Sequence, residues 1–290
     1  MKKQDVLVFI TALVMMISCA ALSFGQEIKL DEYNLKEYQN QYEKVIDIGF
    51  PGQDIKAVGP ALEKGNLKAV KYLVETYPGL KLLTTPIKDK YGDGEQTICI
   101  AARGGYTDLV NYIAKKEPRL VNVDYYDDYL KGYKALAAAI KNGHADTAFL
   151  LLDLGTTIEK VWYKYDANRP VMLVLAAKTF KDKETLEKLI PALLKAGENP
   201  YTVTGTGHFS ADALYFGAEY NNADFVTILR DEMKKMGKEP VAHYSEWICP
   251  GLNFGELYRR MEKSERKNIE FLKSQGIELK LNIEESLDCD

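Results

Sequence analysis

The chain has few of the residues from which catalytic and metal sites are usually built. Its 290 residues include only four cysteines, three histidines and two tryptophans. It contains no phosphate-binding loop, no G-x-S-x-G nucleophile elbow and no H-E-x-x-H pair. The histidines, His144, His208 and His243, are far apart in sequence, and none has a second ligand at helix or hairpin spacing. The sequence therefore predicts no catalytic residue, no metal site and no cofactor.

The chain as a whole also lacks an excess of basic residues. The formal net charge is −4 and the pI is about 5.6. A surface that binds nucleic acid needs clustered lysine and arginine to neutralise phosphates. The negative net charge argues against such a surface. With 46% apolar and 28% charged residues, the composition is that of an ordinary folded globular protein. We therefore expect a folded chain without a nucleic-acid partner.

The only apolar run of bilayer length stands near the N-terminus. Lys2 and Lys3 precede an uncharged run, Val6–Leu22, and small residues follow it at Ser23 and Gly25. A basic start, an apolar middle and a small-residue cleavage site are the three parts of an export signal. The sequence thus predicts a signal peptide over residues 1–25 and an exported protein.

Three processing routes remain open for this segment. Cleavage after Gly25 would leave Gln26 as the mature N-terminus. Alternatively, Met16–Cys19 is a loose version of a bacterial lipoprotein box, in which Cys19 would be lipidated and retained. The signal could also stay uncleaved as a membrane anchor. We expect a periplasmic, secreted or lipid-anchored protein, with membrane contact only through this segment.

The mature chain keeps three cysteines, Cys99, Cys249 and Cys289. Cys99 falls on the apolar side of a predicted helix, which favours a buried small hydrophobic residue. Cys249 and Cys289 both lie in the C-terminal part. Because an exported protein meets oxidising conditions, a disulfide between these two is a candidate, though sequence cannot give their separation.

Two short helices joined by a turn are predicted between Gly132 and Ile158. Apolar residues recur at helical spacing before and after Asn142–Gly143. Gly143 stands where the chain must reverse, and Gly155 follows the second helix as a stop. Neither helix is long enough to be stable alone in water, so flanking copies must cover their apolar faces.

This stretch resembles an ankyrin repeat. Gly132 corresponds to the opening glycine, Lys134–Ala139 to the T-P-L-H-x-A segment, and Gly143–His144 to the glycine-histidine turn. Leu150–Leu152 and Gly155 match the leucine run and the closing glycine. Lys134 and Ala135 replace the usual threonine and proline, so the start of the first helix is less firmly specified. The resemblance implies a structural, hydrogen-bonding role for the histidine of the turn.

Similar turns recur along the chain. Gly65, Gly105, Gly143 and Asn221 occupy the turn position, at separations of 40, 38 and 78 residues. The last separation equals two repeats of 39, with a less regular copy between them in which Phe180–Glu184 is interpreted as an insertion at the turn. The period predicts about five helix pairs.

The sequence therefore predicts an all-α fold, an ankyrin-like helical solenoid with about five helix-pair repeats and capping helices. We expect an N-terminal extension over residues 26–52 and repeats over 53–240. A C-terminal capping repeat is predicted over 241–276, with helices near Asn253–Met261 and Glu265–Gln275, followed by a loose tail over 277–290.

Aromatic residues concentrate in the connections between helix pairs, here called fingers. Tyrosine and tryptophan are enriched at binding hot spots because each offers a large apolar face and a polar tip. The alternative interpretation is that lengthened fingers use aromatic rings to pack on themselves. The candidate partner-binding residues are Tyr125, Tyr126, Tyr129, Trp162, Tyr163, Tyr165, Phe209, Tyr244 and Trp247.

What the resemblance implies about function is non-catalytic binding of another protein through the fingers and the concave face of the repeats. It names no partner, and a fold by itself is weak ground for a function. Two further hypotheses are an envelope enzyme with its active site in the concave groove and a purely structural envelope component. No spacing of acidic, histidine or serine residues favours the enzyme.

Overall fold

The structure, a computed structural model, describes residues 58–76, 81–88, 94–122, 135–158, 171–206, 209–248 and 263–285. All of them lie in Val58–Asp290, one of the two units into which the chain divides. The predicted signal peptide and N-terminal extension, with Cys19, lie outside the described residues. Helices and strands are numbered below in chain order within the described ranges.

Ten of the described helices form five consecutive pairs. The first helices of the pairs pack side by side in series, and so do the second helices from the second pair onward. The predicted stack of about five helix pairs is therefore confirmed. The pairs are α1 (Val58–Glu63) with α2 (Leu67–Thr76), α3 (Thr97–Arg103) with α4 (Thr107–Lys116), α5 (Ala135–Lys141) with α6 (Ala145–Asp153), α7 (Met172–Thr179) with α8 (Lys183–Lys195), and α9 (Ala213–Glu219) with α10 (Ala223–Lys235).

Three residues join the two helices of every pair, and the second helices begin 38 to 40 residues apart. The expected insertion at Phe180–Glu184 is therefore wrong, because the fourth turn is as long as the others. It differs only in conformation. Phe180 leaves α7 in an extended conformation, and the Asp182 carboxylate caps α8 by accepting a hydrogen bond of 2.8 Å from the Thr185 amide.

The other four turns share a left-handed residue. Gly65, Gly105 and Gly143 have φ values of 64°, 70° and 79°, and Asn221 has 52°. The sequence predicted a turn at each of these positions, and all four predictions are confirmed. Glycine adopts this conformation at no steric cost, and asparagine tolerates it better than most residues.

The first helices are apolar on all sides and correspondingly buried. In α5, every residue from Ala135 to Ile140 is at most 1% exposed. Alanine side chains let this helix approach α3 and α7 closely on both sides. In α3, Thr97–Ala102 are all buried, and Cys99 among them confirms the interpretation of a buried small hydrophobic residue.

The second helices are amphipathic. In α8, five apolar residues at helical spacing are buried, whereas Glu187 and Lys188 on the opposite face are exposed. A short 3₁₀ helix, Pro118–Asn122, follows α4, and a two-residue hairpin, β1 (Ile87–Lys88) with β2 (Gly94–Glu95), precedes α3. None of the described helices has the length and apolar character to span a bilayer.

The C-terminal part contains a four-stranded sheet that the sequence reading did not predict. Its strands lie in the order β3 (Thr204–Thr206), β4 (Phe209–Ala211), β5 (Val241–Ile248) and β6 (Glu278–Glu285). The first three pair antiparallel, and β5 and β6 pair in parallel along their full length. Helix α11 (Lys263–Ser274), which lies between β5 and β6 in sequence, packs against α9 and β6.

Two parts of the predicted C-terminus are therefore corrected. Helix α11 matches the expected last helix, and Gly276 follows it with φ 68°, but Val241–Ile248 is a strand rather than part of a helical repeat. The expected loose tail contains β6. Glu278–Glu285 alternates polar and apolar residues, and this period of two suits a strand with one face on the core. The predicted helix Asn253–Met261 lies outside the described residues.

Candidate functional site

Side chains at one equivalent position, the last residue before the second helix, join the turns of successive pairs. The Tyr106 hydroxyl donates a hydrogen bond of 2.8 Å to the carbonyl of Glu63, the last residue of α1. His144 Nε2 donates in the same way to the carbonyl of Arg103, at 2.9 Å. Carbonyls in the last turn of a helix have no intrahelical partner, so these contacts satisfy them. The predicted hydrogen-bonding role of His144 is confirmed.

The last two turns are joined by amide and ammonium groups. Asn222 Nδ2 donates to the carbonyls of Ala177 and Phe180, at 2.8 and 2.7 Å. Asp182 occupies this position in the fourth turn, and a carboxylate cannot donate. Its neighbour Lys181 instead reaches forward, and its Nζ lies 3.0 Å from the carbonyl oxygen of Tyr220. We call the line formed by the five turns, residues 64–66, 104–106, 142–144, 180–182 and 220–222, the turn edge.

The first helices of the three central pairs expose cations where they end at this edge. The last exposed residues are Arg103 in α3, Lys141 in α5 and Lys178 in α7, and Lys181 follows in the fourth turn. These four residues form what we call the basic row. Because α3, α5 and α7 are otherwise almost wholly buried, the row is the main part of these helices that meets solvent within the described residues.

In the basic row, Arg103 pairs with an acid, and Lys178 lies near an aromatic ring. Arg103 Nη2 lies 3.0 Å from Glu95 Oε2, and half of the Arg103 side chain is exposed. Burial raises the pKa of the Glu95 carboxyl, and the Arg103 guanidinium only partly opposes this. Lys178 Nζ lies 5.9 Å from the ring centroid of Tyr220, a cation–π distance.

A second row of opposite charge begins the second helices. It consists of exposed acids in the first turns of α4, α6, α8 and α10: Asp108, Asp146, Glu184 and Asp224. Acids at helix N-termini and cations at helix C-termini both complement the helix dipole. The turn edge therefore carries a basic row on the side of the first helices and an acidic row on the side of the second helices.

Asp212 and His243 form a separate polar cluster where the fifth pair meets the sheet. Asp212 is fully buried and caps α9, with Oδ1 accepting from the amides of Leu214 and Tyr215 at 3.0 and 3.2 Å. Its Oδ2 accepts from the His243 amide at 2.7 Å and from His243 Nδ1 at 3.0 Å. Burial raises the pKa of the Asp212 carboxyl, and the hydrogen bonds from His243 oppose that effect.

The surroundings of this cluster indicate a structural joint. The His243 ring meets the edge of the Tyr201 ring at 5.4 Å between centroids, and the Tyr201 hydroxyl donates to the Glu239 carbonyl at 2.6 Å. A paired aspartate and histidine could support base catalysis if a nucleophile lay beside them. No hydroxyl or thiol of the described residues hydrogen-bonds to the His243 ring. The carboxylate instead uses its oxygens to fix α9 to β5.

Comparison with known proteins identifies the repeat. The family model "Ankyrin repeats (3 copies)" matches residues 59–161, which span the first three helix pairs. Residues 59–161 are therefore ankyrin repeats. The fourth and fifth pairs lie beyond the matched residues, yet they keep the three-residue turn and the stacking of the first three.

Curated proteins and solved structures give two further comparisons. No curated protein matches the chain. Among solved structures, the crystal structure of the human ASB11 ankyrin repeat domain is similar, with a TM-score of 0.48 and 17% sequence identity. The similarity covers 75% of this chain and 82% of that one. Ankyrin repeats are in general protein-interaction modules without catalytic activity of their own, which supports a binding role here.

Most of the predicted partner-binding aromatics cannot be placed on this ankyrin stack. Six of them lie outside the described residues: Tyr125, Tyr126, Tyr129, Trp162, Tyr163 and Tyr165. Phe209 belongs to β4 and Trp247 to β5, but the structure does not describe their side chains. Cys249 and Cys289, the candidate disulfide, also lie outside the described residues.

Tyr244 is placed, and its predicted role is wrong. Its side chain is 1% exposed, and its ring lies 4.8 Å from that of Tyr215 in α9, between centroids. The alternation of β5 turns Ala242 and Tyr244 toward the core, so the Tyr244 ring is not available to a partner. For Tyr244 the alternative interpretation, aromatic self-packing, is the correct one.

Sequence reasoning missed the basic row and three of the four side chains that hydrogen-bond between turns, namely Tyr106, Lys181 and Asn222. A signal for the row was present, since a cation stands two residues before the turn glycine in the second and third repeats, at Arg103 and Lys141. Tyr106 and Asn222 occupy the position of His144, but only the stacked turns show that all three reach back to the preceding repeat. Among the described residues, no three His, Cys, Asp or Glu side chains come together as metal ligands would.

Proposed function

We propose that this ankyrin-repeat protein is exported and binds another protein, without catalysis, through its fingers and the concave side of its repeats. The observation that carries the proposal is the stack of five helix pairs, three of which match the ankyrin family model. A stack of this kind presents its connections in series along one side, which gives a partner an extended surface.

The charged and hydrogen-bonding groups of the described residues support binding rather than catalysis. The buried Asp212 and its partner His243 join α9 to the sheet. The exposed charges of the turn edge form rows rather than a convergent pocket. Rows suit contact with an extended partner surface, whereas a catalytic site needs groups that converge on one reacting atom.

Export is the second part of the proposal. It is supported by Lys2 and Lys3, by the apolar run Val6–Leu22 and by the small residues up to Gly25. The protein would then act in the periplasm or outside the cell, or attached to the envelope through Cys19. A partner is accordingly to be sought among envelope or secreted proteins.

The test is capture of binders from an envelope extract by the immobilised chain Gln26–Asp290. Captured proteins are identified by mass spectrometry, and each is then purified and titrated against the chain. A finger variant changes Tyr126, Tyr129, Trp162 and Tyr163 to alanine. We expect it to weaken binding at least about tenfold, because aromatic hot spots each contribute about 2 kcal/mol or more.

A matched control removes exposed apolar side chains elsewhere. Val203 and Met236 are the exposed large hydrophobic residues of the described part of the chain, and both are changed to alanine. This control should bind as the wild type does. Equal binding by the finger variant and the control would remove the fingers from the proposal. The absence of any protein that binds directly would contradict the proposed function itself.

A further inference from the structure

The four-stranded sheet ends on β6. Within the described residues the strand order is β3, β4, β5 and β6, and β6 pairs only with β5, in parallel. Glu278 and Lys280 of β6 are exposed, and Leu279 between them is half-buried. A strand at the edge of a sheet presents a row of unpaired backbone N–H and C=O groups. This edge is therefore a surface to which a further strand can add.

Edge strands are usually protected against such pairing, and β6 has little of that protection. Common devices are a very short strand, a proline or a β-bulge. At the other edge of the sheet, β3 has three residues. In contrast, β6 has eight residues without a proline, and its register with β5 runs along the full length without a bulge. The protective feature that β6 does carry is charge, at Glu278, Lys280, Glu284 and Glu285.

The pattern of β6 restricts the strand that can pair with it. Leu279 stands opposite the buried Ala242 of β5, whereas Lys280 stands opposite the half-buried His243. Because residues alternate between the two faces of a strand, the odd positions of β6 belong to the core side of the sheet and the even positions to the other side. The odd positions from 279 to 283 are apolar in sequence, and the even ones are polar or charged. An added strand needs the same alternation, and a second copy of β6 has it.

A second copy of β6 also fits by charge. In a symmetric antiparallel pair the two-fold axis passes through one residue, because residues opposite each other share a face. Two such registers leave out just one of the eight residues of each strand. The register centred on Leu281 sets Glu278 opposite Glu284, which are two acids. The register centred on Asn282 sets Lys280 opposite Glu284 on both sides of the axis and places no two like charges opposite each other.

We infer that two copies of the chain pair through β6, antiparallel and centred on Asn282, so that one sheet continues across both copies. This inference goes beyond the proposed function and does not depend on it. When a strand adds to a sheet edge, backbone hydrogen bonds supply the affinity and the opposed side chains select the partner. The opposed Lys280 and Glu284 select this register. Since each copy has one β6, the contact closes the assembly at a dimer.

The experiment uses the protein purified after expression of the full chain, with a reducing agent present so that cysteines cannot link two copies. Sedimentation velocity over a range of concentrations gives the Kd of the dimer. Two β6 variants reverse one charge each, Lys280→Glu and Glu284→Lys. The matched controls, Lys188→Glu and Glu184→Lys, change the net charge in the same way within an exposed ion pair of α8, in which Nζ and Oε1 are 2.7 Å apart. Circular dichroism and thermal unfolding establish that every variant is folded.

We expect the wild type to form a dimer whose fraction rises with concentration. Each β6 variant should dimerise at least about tenfold more weakly, because one substitution changes two opposed pairs from attraction to repulsion. An equimolar mixture of the two β6 variants should recover the dimer, because every opposed pair then joins an acid with a base. Each α8 control should stay within about twofold of the wild type, since an exposed ion pair away from the contact contributes little.

Hydrogen exchange locates the contact. The amides of β6 that point to the open edge should exchange more slowly as the concentration rises, whereas the amides of α5, inside the stack, should not change. Exchange in β6 that does not depend on concentration would overturn the inference.

Four other results would also overturn it. They are a wild type that stays monomeric at every concentration, β6 variants that dimerise as the wild type does, a mixture that does not recover the dimer, and equal weakening by the α8 controls. Slower exchange in β6 only when a captured protein binds the monomer would assign the edge to a strand of that protein, and this too would overturn the inference. The proposed function would stand in every case, because capture of binders tests it separately.

Discussion

The imidazole of His144 lies across the turn of the preceding repeat. Its Nε2 is 2.9 Å from the carbonyl oxygen of Arg103, and a β-carbon placed on Gly105 would come within 2.4 Å of its Nδ1. One side chain therefore satisfies a helix-end carbonyl and covers a glycine that has no side chain of its own. The Tyr106 ring covers Gly65 in the same way, so the contact belongs to the repeat.

The first prediction concerns the hydrogen bond of His144. His144→Ala removes the bond to Arg103 and should lower the free energy of unfolding by about 1 kcal/mol. His144→Asn should lose less, because Asn222 makes the equivalent contacts in the fifth repeat with its amide. Urea unfolding followed by circular dichroism measures both. An asparagine variant as unstable as the alanine variant would show that the ring, and not the bond, stabilises the turn.

The second prediction compares two left-handed glycines. Gly105 and Gly155 have φ values of 70° and 84°, but a β-carbon at Gly155 would meet nothing within 4 Å. Gly155→Ala should therefore cost only the left-handed conformation, about 1–2 kcal/mol. Gly105→Ala should cost at least about 1 kcal/mol more, because its methyl group would overlap the His144 ring.

A double-mutant cycle tests the origin of that extra cost. In Gly105→Ala combined with His144→Ala, the overlap disappears, so the double variant should be more stable than the sum of the single changes implies. Chemical unfolding of the four proteins under one set of conditions gives the coupling energy. Additive effects would mean that the His144 ring moves away freely and that the close contact has no energetic consequence.

The third prediction concerns the buried carboxylate of Asp212. Asp212→Ala leaves four N–H donors without their acceptor and removes the cap of α9, which should cost about 3 kcal/mol. Because β5 is fixed to α9 through this carboxylate, hydrogen exchange of the β5 amides should accelerate more than that of the α5 amides. Similar acceleration in both would contradict the role of Asp212 as a local joint.

Asp212 should also contribute to the pH dependence of stability. Its pKa is raised above the usual 3.8, mainly by burial, so the folded state holds the proton more tightly than the unfolded state. Its contribution is therefore fully present below about 3.8 and is lost as the pH rises through the folded pKa. Burial also raises the pKa values of Glu95 and Glu219, so the measured quantity is the difference between wild type and Asp212→Asn. That difference should change with pH above about 4, and a constant difference would contradict the raised pKa.

The fourth prediction concerns processing of the N-terminus. When the full chain is expressed in a bacterial host with an envelope, the mature protein should begin at Gln26 or carry acyl chains on Cys19. Intact mass and detergent partitioning separate these outcomes. Cys19→Ser should abolish detergent partitioning only on the lipidation route. A chain of full mass in the cytosolic fraction would contradict export.

Turn chemistry explains why so much of the repeat region could be predicted from sequence. The left-handed positions at Gly65, Gly105, Gly143 and Asn221 depend on local backbone sterics, and the helices between them are set by spacing of apolar residues. The fourth pair was predicted correctly, but the insertion predicted at Phe180–Glu184 is wrong. The sequence shows no glycine there, and it does not reveal that Asp182 closes a turn of the same length by capping α8.

The candidate site was less predictable because it depends on which faces become buried. Arg103, Lys141 and Lys178 look like ordinary helix-end cations in sequence, and they form a row only because α3, α5 and α7 bury everything else. Tyr244 shows the opposite case. From sequence, Tyr244 is a candidate binding residue. In the structure β5 pairs with β4 and β6, and the Tyr244 ring packs against the ring of Tyr215.

The sequence by itself determined the helix pairs, their period of about 39 residues, the positions of four turns and the burial of Cys99. These features depend on interactions within one repeat, or on a spacing of apolar and turn residues that recurs in each repeat. Only the tertiary structure decided the joining of the turns through Tyr106, His144 and Asn222, and the sheet that brings β5 beside β6. Strand pairing and side-chain contacts between repeats join residues that are far apart in the chain, and no local preference specifies which partner each will find.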